Sequence, residues 1–226
     1  MTLAEILHPS CALFLDFDGT MVDIAPQPQA VHVPESFLGV LQAAHQYLHG
    51  AVAVISGRPF AQIDAFLHPL HLPVAGVHGA ERRGADGQVH LLDTHPLDHV
   101  EAVAISLATL HPGLLVENKR GSVALHYRQR PELADLCLGA MQRAVDESPG
   151  LTLQRGKMVA EAKPGGASKG RAIEEFLAEP PFTGRIPVFI GDDVTDEVGI
   201  STVQRLGGIG IKVGEGATPR SRPRPP

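Results

Sequence analysis

The 226-residue sequence is poor in lysine, with only Lys119, Lys157, Lys163, Lys169 and Lys212, and its net charge is −6. A strongly basic field is missing, and with it the usual basis for binding nucleic acid or an anionic membrane surface. No apolar run approaches the ~20 residues of a membrane-spanning helix. The opening Met1-Thr2-Leu3-Ala4-Glu5 has no basic segment followed by a long apolar one, so no signal peptide is expected. Cysteine is limited to Cys11 and Cys137, both inside apolar stretches, which reads as two buried free thiols in a reducing compartment. The expectation is a soluble cytoplasmic protein with a small-molecule partner and neither nucleic acid nor membrane. Oligomeric state is left open, with a monomer as the default.

What is present is apolar content of 43%, enough for one sizeable domain or a core with a smaller insertion. Unalternated apolar runs at 12–17, 51–56, 73–76 and 186–190 suit strands buried on both faces of a parallel sheet. Between the first two, Phe37, Leu38, Leu41, Ala44 and Leu48 share one helical face. Strand, helix, strand in that order predicts a parallel α/β core. The middle of the chain has a different texture. Asp86-Gly87 marks a hairpin over 81–91, and helices about Val100–Leu110 and Leu133–Ala144 alternate with strands at 114–117, 122–127, 151–154 and 158–162. This predicts an inserted α+β unit with an antiparallel sheet. After Gly166 the parallel pattern returns with a helix over 168–177 and strands at 186–190 and 209–213. The predicted layout is a core over 1–79, an insertion over 80–164, more core over 165–217, and a Pro/Arg-rich tail over 218–226 expected to be disordered.

Four segments carry chemistry. Asp16 and Asp18 follow the first strand directly, where open α/β sheets bind ligands, and Gly19 then permits a sharp turn. Two carboxylates forced together repel, and a hard cation relieves that. Alone the pattern also fits an ordinary turn; a calcium loop fails because its glycine belongs at loop position 6. Gly191-Asp192-Asp193-Val194-Thr195-Asp196-Glu197 again ends an apolar strand in a glycine and clustered acids. Two strands of one sheet ending this way favour a shared Mg²⁺ over a solvated acidic turn. Ser56-Gly57-Arg58 ends another core strand, offering a hydroxyl for a phosphoryl oxygen and a guanidinium for an anion, although alone it reads as a capping turn. Gly165-Gly166-Ala167-Ser168-Lys169-Gly170 puts a lysine at a helix start, where amides and dipole favour an anion. A P-loop is excluded, because Gly170 follows Lys169 in place of Ser or Thr. His45 and His49 lack the glutamate of a zinc-protease helix. Nucleophile, metal and cations together meet the needs of phosphoryl transfer.

In this order the segments resemble the haloacid dehalogenase superfamily. More narrowly, Gly76-Val77-His78-Gly79-Ala80-Glu81, Val123-Ala124-Leu125-His126-Tyr127-Arg128 and Glu161-Ala162-Lys163-Pro164-Gly165-Gly166 are similar to the bacterial trehalose-6-phosphate phosphatases, from about Ala12 to Ala217. Past Gly216 that family usually continues with further core structure, where this chain has its Pro/Arg segment. The resemblance implies a Rossmann-like core with an inserted cap whose closure excludes water. It implies Asp16 as nucleophile and Asp18 as acid and base. Mg²⁺ is then held by Asp16, the Asp18 carbonyl and Asp192, with Asp193 or Asp196 completing or supporting the shell. Ser56 and Lys169 bind the phosphoryl group. Lys119, His126, Arg128, Glu161 and Lys163 face the sugar, His78 and Glu81 lie near the hinge, and Arg58 serves the substrate. The implied reaction is hydrolysis of trehalose 6-phosphate. Two alternatives stay open: another sugar phosphate as substrate, and a non-catalytic sugar-phosphate-binding module.

Overall fold

The computed structural model describes residues 3–24, 31–92, 96–119 and 121–214. The expected disordered tail at 218–226 lies outside the described residues.

The chain runs α1 (Leu3–Ile6), β1 (Cys11–Leu15), α2 (Glu35–Tyr47), β2 (Val52–Ile55), α3 (Phe60–Leu67), β3 (Val74–Gly76), β4 (Glu81–Arg83) and β5 (Val89–Leu91). It continues with α4 (Asp98–Leu110), β6 (Leu115–Lys119), β7 (Ser122–His126), α5 (Ala134–Asp146), β8 (Leu151–Gly156) and β9 (Val159–Pro164). It ends with α6 (Lys169–Leu177), β10 (Ile186–Gly191), α7 (Glu197–Arg205) and β11 (Ile209–Lys212). Two compact units result: residues 1–90 with 168–226, and residues 91–167.

The first unit is built on a seven-stranded sheet ordered β11-β10-β1-β2-β3-β4-β5. The pairs β11/β10, β10/β1, β1/β2 and β2/β3 are parallel, and β3/β4 is antiparallel. β1 and β2 are buried along their whole length, as unalternated apolar runs require of strands covered on both faces. Phe14, Phe176 and Phe182 meet beside the sheet at centroid separations of 5.2 to 6.1 Å. From β1 the chain builds outward through β2 and β3, and later returns to β1's other edge as β10. The order therefore reverses between β1 and β10, the topological switch point where such sheets leave a crevice beyond their carboxyl ends.

The second unit has the antiparallel order β6-β7-β9-β8. Val116, Val123, Leu125, Ala160, Ala162 and Leu153 project to one face and pack with Val100, Ala104, Cys137 and Met141 of α4 and α5. Strand alternation sends Glu117, Ser122, Ala124, His126, Glu161 and Gln154 to the other face.

The structure moves the expected boundaries of the insertion. The hairpin β4–β5, expected to open the insertion at residue 80, extends the core sheet instead, and the divisions fall after residues 90 and 167. Side chains explain the correction. Arg82 of β4 pairs with Glu175 at 3.3 Å and with Glu179, over the ring of Phe176. Arg83 forks onto Asp64 of α3 at 2.6 and 2.7 Å. Cys11 and Cys137 are buried free thiols. Among the described residues no helix is long and apolar enough to cross a membrane.

Candidate active site

The carboxyl ends of β1 and β10 bring Asp16, Asp192 and Asp196 together, with one oxygen of each lying within 4.8 Å of the others. The register makes this unavoidable. Leu15 lies opposite Ile190, and the Asp16 amide donates to the Ile190 carbonyl at 2.9 Å, so both strands release their acids at one level. Gly19 is required by closeness: a Cβ there would come within 2.1 Å of the Asp192 carboxylate.

Lys169 reaches the same point from α6. Ser168 caps that helix by accepting from the Arg171 amide at 3.1 Å. Lys169 then shares a helical face with Ala172, Ile173 and Phe176, which are buried in the core. The ammonium follows that face inward and donates to Asp16 Oδ1 at 2.6 Å and Asp196 Oδ1 at 2.5 Å. The other oxygen of Asp196 accepts from the Asp192 and Asp193 amides at 3.0 Å each. Asp196 is thus consumed in holding Lys169 and the turn after β10. Asp193 accepts from the Val194 amide at 2.6 Å as a helix cap and lies outside the three-acid group. Of the expected metal residues, Asp16 and Asp192 retain oxygens for a ligand, and Thr20 donates to Asp192 at 3.4 Å.

The electrostatics favour a cation. Burial, opposed by Lys169 and reinforced by Asp196 and Asp192, pushes the Asp16 carboxyl up to about 7. Burial, with Asp196 and Asp193 adding to it, also raises Asp192. Burial works against the Lys169 ammonium, but Asp16 and Asp196 outweigh it and hold the group above its usual range. Three carboxylates against one ammonium leave two negative charges, which one divalent cation cancels. Hard carboxylate oxygens are the donors Mg²⁺ prefers.

Ser56 is buried at the end of β2, beside β1, and its Oγ accepts from the Arg58 amide at 3.1 Å. Arg58 does not stand ready for an anion; its guanidinium grips both oxygens of Asp18. Glu81, expected near the substrate, turns into the core and accepts from the Phe60 amide at 2.6 Å, capping α3, whose N-cap residue Pro59 offers no side-chain acceptor. His78 is buried against the Ser56–Arg58 turn, where a Cβ on Gly57 would meet its Nε2 at 2.7 Å.

In the second unit His126 and Glu161 occupy one face of the sheet, with Lys119 in register with Ser122 and Lys163 with Thr152. His126 contacts Glu117 at 2.9 Å, and Ser122 donates to Glu161 at 2.7 Å. Arg128 lies exposed, beyond the end of β7. Sequence reasoning passed over Glu117, Ser122 and Gln154. The signal was the period-two alternation of strands already recognised, which puts them on the face of His126 and Glu161.

Comparison with known proteins shows the family and the fold. The chain is 45% identical over 225 residues to the trehalose-6-phosphate phosphatase of Escherichia coli, covering 98% of this chain and 84% of that one. It shares the fold of the C-terminal domain of C. albicans trehalose-6-phosphate phosphatase with a TM-score of 0.79 at 20% identity, covering 88% of this chain and 75% of that one. It likewise shares the fold of a haloalkanoate-superfamily phosphatase from Bacteroides thetaiotaomicron, with a TM-score of 0.57 at 16% identity and coverage of 88% and 82%. A family model described as trehalose-phosphatase matches residues 14–223, and the chain belongs to that family of phosphatases, built on the haloacid dehalogenase fold.

Proposed function

We propose that this chain hydrolyses trehalose 6-phosphate to trehalose and phosphate, with Mg²⁺, through an aspartyl-phosphate on Asp16. The observation that carries the reading is the Asp16–Lys169–Asp192 constellation at the switch point, with Asp18 two residues beyond the nucleophile. Lys169 takes Oδ1 of Asp16 and thereby turns Oδ2 toward the incoming phosphorus. Attack forms the Asp16–phosphorus bond as the bond from phosphorus to the sugar oxygen breaks, and Asp18 gives that oxygen its proton. Asp18, now a carboxylate, takes a proton from water as the water oxygen attacks phosphorus and releases Asp16. Asp16, Asp192 and the Asp18 carbonyl would hold Mg²⁺, which supplies charge neutralisation for the phosphoryl oxygens. Ser56 and Lys169 bind that group. His126, Glu161, Lys119, Lys163 and Arg128 serve the sugar hydroxyls, joined by Glu117, Ser122 and Gln154 from the same sheet face. Charged donors and acceptors of this kind suit a ligand rich in hydroxyls.

The test is phosphate release from trehalose 6-phosphate, sucrose phosphate and glucose 6-phosphate, with Mg²⁺ and with chelator. Trehalose 6-phosphate should be preferred, chelator should stop turnover, and Asp16→Asn should abolish it. Equal activity on glucose 6-phosphate would remove the disaccharide assignment and leave the phosphatase. Tight binding without turnover in saturating Mg²⁺ would remove the enzyme.

A further inference from the structure

Arg58 is constrained from several directions around a single function-bearing group. Its Nε donates to Asp18 Oδ2 at 2.6 Å and its Nη2 to Asp18 Oδ1 at 2.7 Å, a two-pronged grip that fixes the plane as well as the place of the carboxylate. The guanidinium is itself wedged, 5.7 Å from the ring centre of Phe17 and 5.3 Å from that of Phe66, two rings stacked at 5.6 Å. Its Nη1 reaches Gln62 at 3.4 Å. The backbone is held as firmly: the Arg58 carbonyl accepts from the Val77 amide at 3.0 Å, and the Ser56 carbonyl from the His78 amide at 2.9 Å.

The holding segment is an unusual one. Val77, His78 and Gly79 have φ of 47°, 55° and 99°, a left-handed turn that includes a β-branched residue. Such backbone is strained at Val77 and His78 and persists where surroundings over-determine it. Here it delivers two amides to the turn that carries Arg58.

We propose that Arg58 is a positioning residue for proton transfer: it places the Asp18 carboxyl and acts on the reaction through Asp18, without contacting the phosphoryl group. The inference rests on Asp18 being the proton donor. When Asp18 has given up its proton, both of its oxygens find the fork waiting, so the fork defines the position to which the carboxylate returns before it accepts a proton from water.

The test exploits leaving-group chemistry. An alkyl phosphate such as trehalose 6-phosphate needs its leaving oxygen protonated, whereas p-nitrophenyl phosphate expels a stable phenolate that needs little help. Release of alcohol or phenolate is followed in single turnovers with saturating Mg²⁺, so that hydrolysis of the phospho-enzyme does not mask the first step. Because general-acid catalysis is worth ~10²–10⁴ and small misplacements forfeit a good part of it, Arg58→Ala should slow the alkyl ester by about 30-fold and the aryl ester by less than about 3-fold. Asp18→Asn is the reference and should show the same selectivity more strongly. If Asp18→Asn slows both esters alike, the proton-donor reading fails. If Asp18→Asn is selective and Arg58→Ala is not, the positioning role is overturned. A higher half-saturating concentration for both esters at an unchanged maximal single-turnover rate also overturns it and puts Arg58 on the phosphoryl group. Should Arg58→Ala not fold, Arg58→Lys keeps charge and reach while losing the fork, and the same comparison decides.

Discussion

At the residue scale, clustered acids that look alike in sequence divide by what their oxygens already do. Asp196 is fully buried and gives one oxygen to Lys169 and the other to two amides, whereas Asp193 only caps the short turn that follows β10. Asp196→Asn leaves a buried ammonium with one anionic partner fewer, and breaking a buried pair from one side typically costs ~3–5 kcal/mol. We expect a loss of about 3 kcal/mol in urea unfolding together with a large fall in kcat. Asp193→Asn keeps an acceptor at the cap and should lie within about 0.5 kcal/mol of the parent. Asp16 makes a different statement, about pH. Burial first, then Asp196 and Asp192, raises it from 3.8 to about 7 despite Lys169. The folded state therefore binds the proton more tightly than the unfolded chain does, so this contribution to stability is present below pH 3.8 and is lost as pH rises toward 7. Thermal unfolding in chelator should show that decline, and Asp16→Asn should flatten it. Mg²⁺ should restore stability at the upper end, because the metal takes the place of the proton.

At the element scale, the placement of Glu81 gives it a structural partner and a test of its expected role. Its oxygen serves the Phe60 amide at the start of α3, one of the orphan donors that every helix leaves at its N-terminus. Glu81→Ala should cost about 1 kcal/mol of stability and leave KM for substrate unchanged; a raised KM with parental stability would return Glu81 to the substrate. Gly57→Ala tests the neighbouring turn. The added Cβ would meet His78 Nε2 at 2.7 Å, in a turn pinned on both sides, so kcat should fall by about 10-fold or more as Ser56 and Arg58 shift. These elements also show what a sequence can disclose. β1, β2 and β10 were legible because burial on both faces leaves continuous apolar runs, and α6 because Ser168 announces its start. The hairpin β4–β5 was legible as a hairpin through Asp86-Gly87, but not as part of the core, since its partners β3, α3 and α6 are set by distant pairings of Arg82 and Arg83. α7 was not read at all: Gly199 and four β-branched residues within Glu197–Arg205 hide a helix that only its packing sustains. In the site, residue types disclosed the chemistry of Asp16, Lys169 and Asp192. The grip of Arg58 on Asp18, forty positions apart in sequence, belongs to the fold alone.

At the scale of the whole molecule, the chain divides its work between two units with separate cores, one over 1–90 with 168–226 and one over 91–167. Every acid of the proposed metal site lies in the first, and the polar sheet face assigned to the sugar lies in the second. The two ligands should therefore leave different marks on local stability. A ligand that binds only the folded state stabilises it by RT ln(1 + [L]/Kd), about 2.7 kcal/mol at a hundredfold excess over Kd. Mg²⁺ alone would offset the repulsion among the acids at the ends of β1 and β10, so its effect should fall on amides that open with those strands. Hydrogen exchange should accordingly slow in β1, β10 and the start of α6 when Mg²⁺ is added, with β7 and β9 little changed. Adding trehalose 6-phosphate to Mg²⁺-loaded Asp16→Asn, which should bind without turning over, should then slow exchange in β7 and β9 as well, because the donors proposed for the sugar hydroxyls lie on those strands. Inorganic phosphate in place of the sugar phosphate should reproduce the first pattern and not the second. Equal protection of β7 and β9 by phosphate and by the sugar ester would mean that the second unit does not read the sugar, and substrate choice would then have to come from the core.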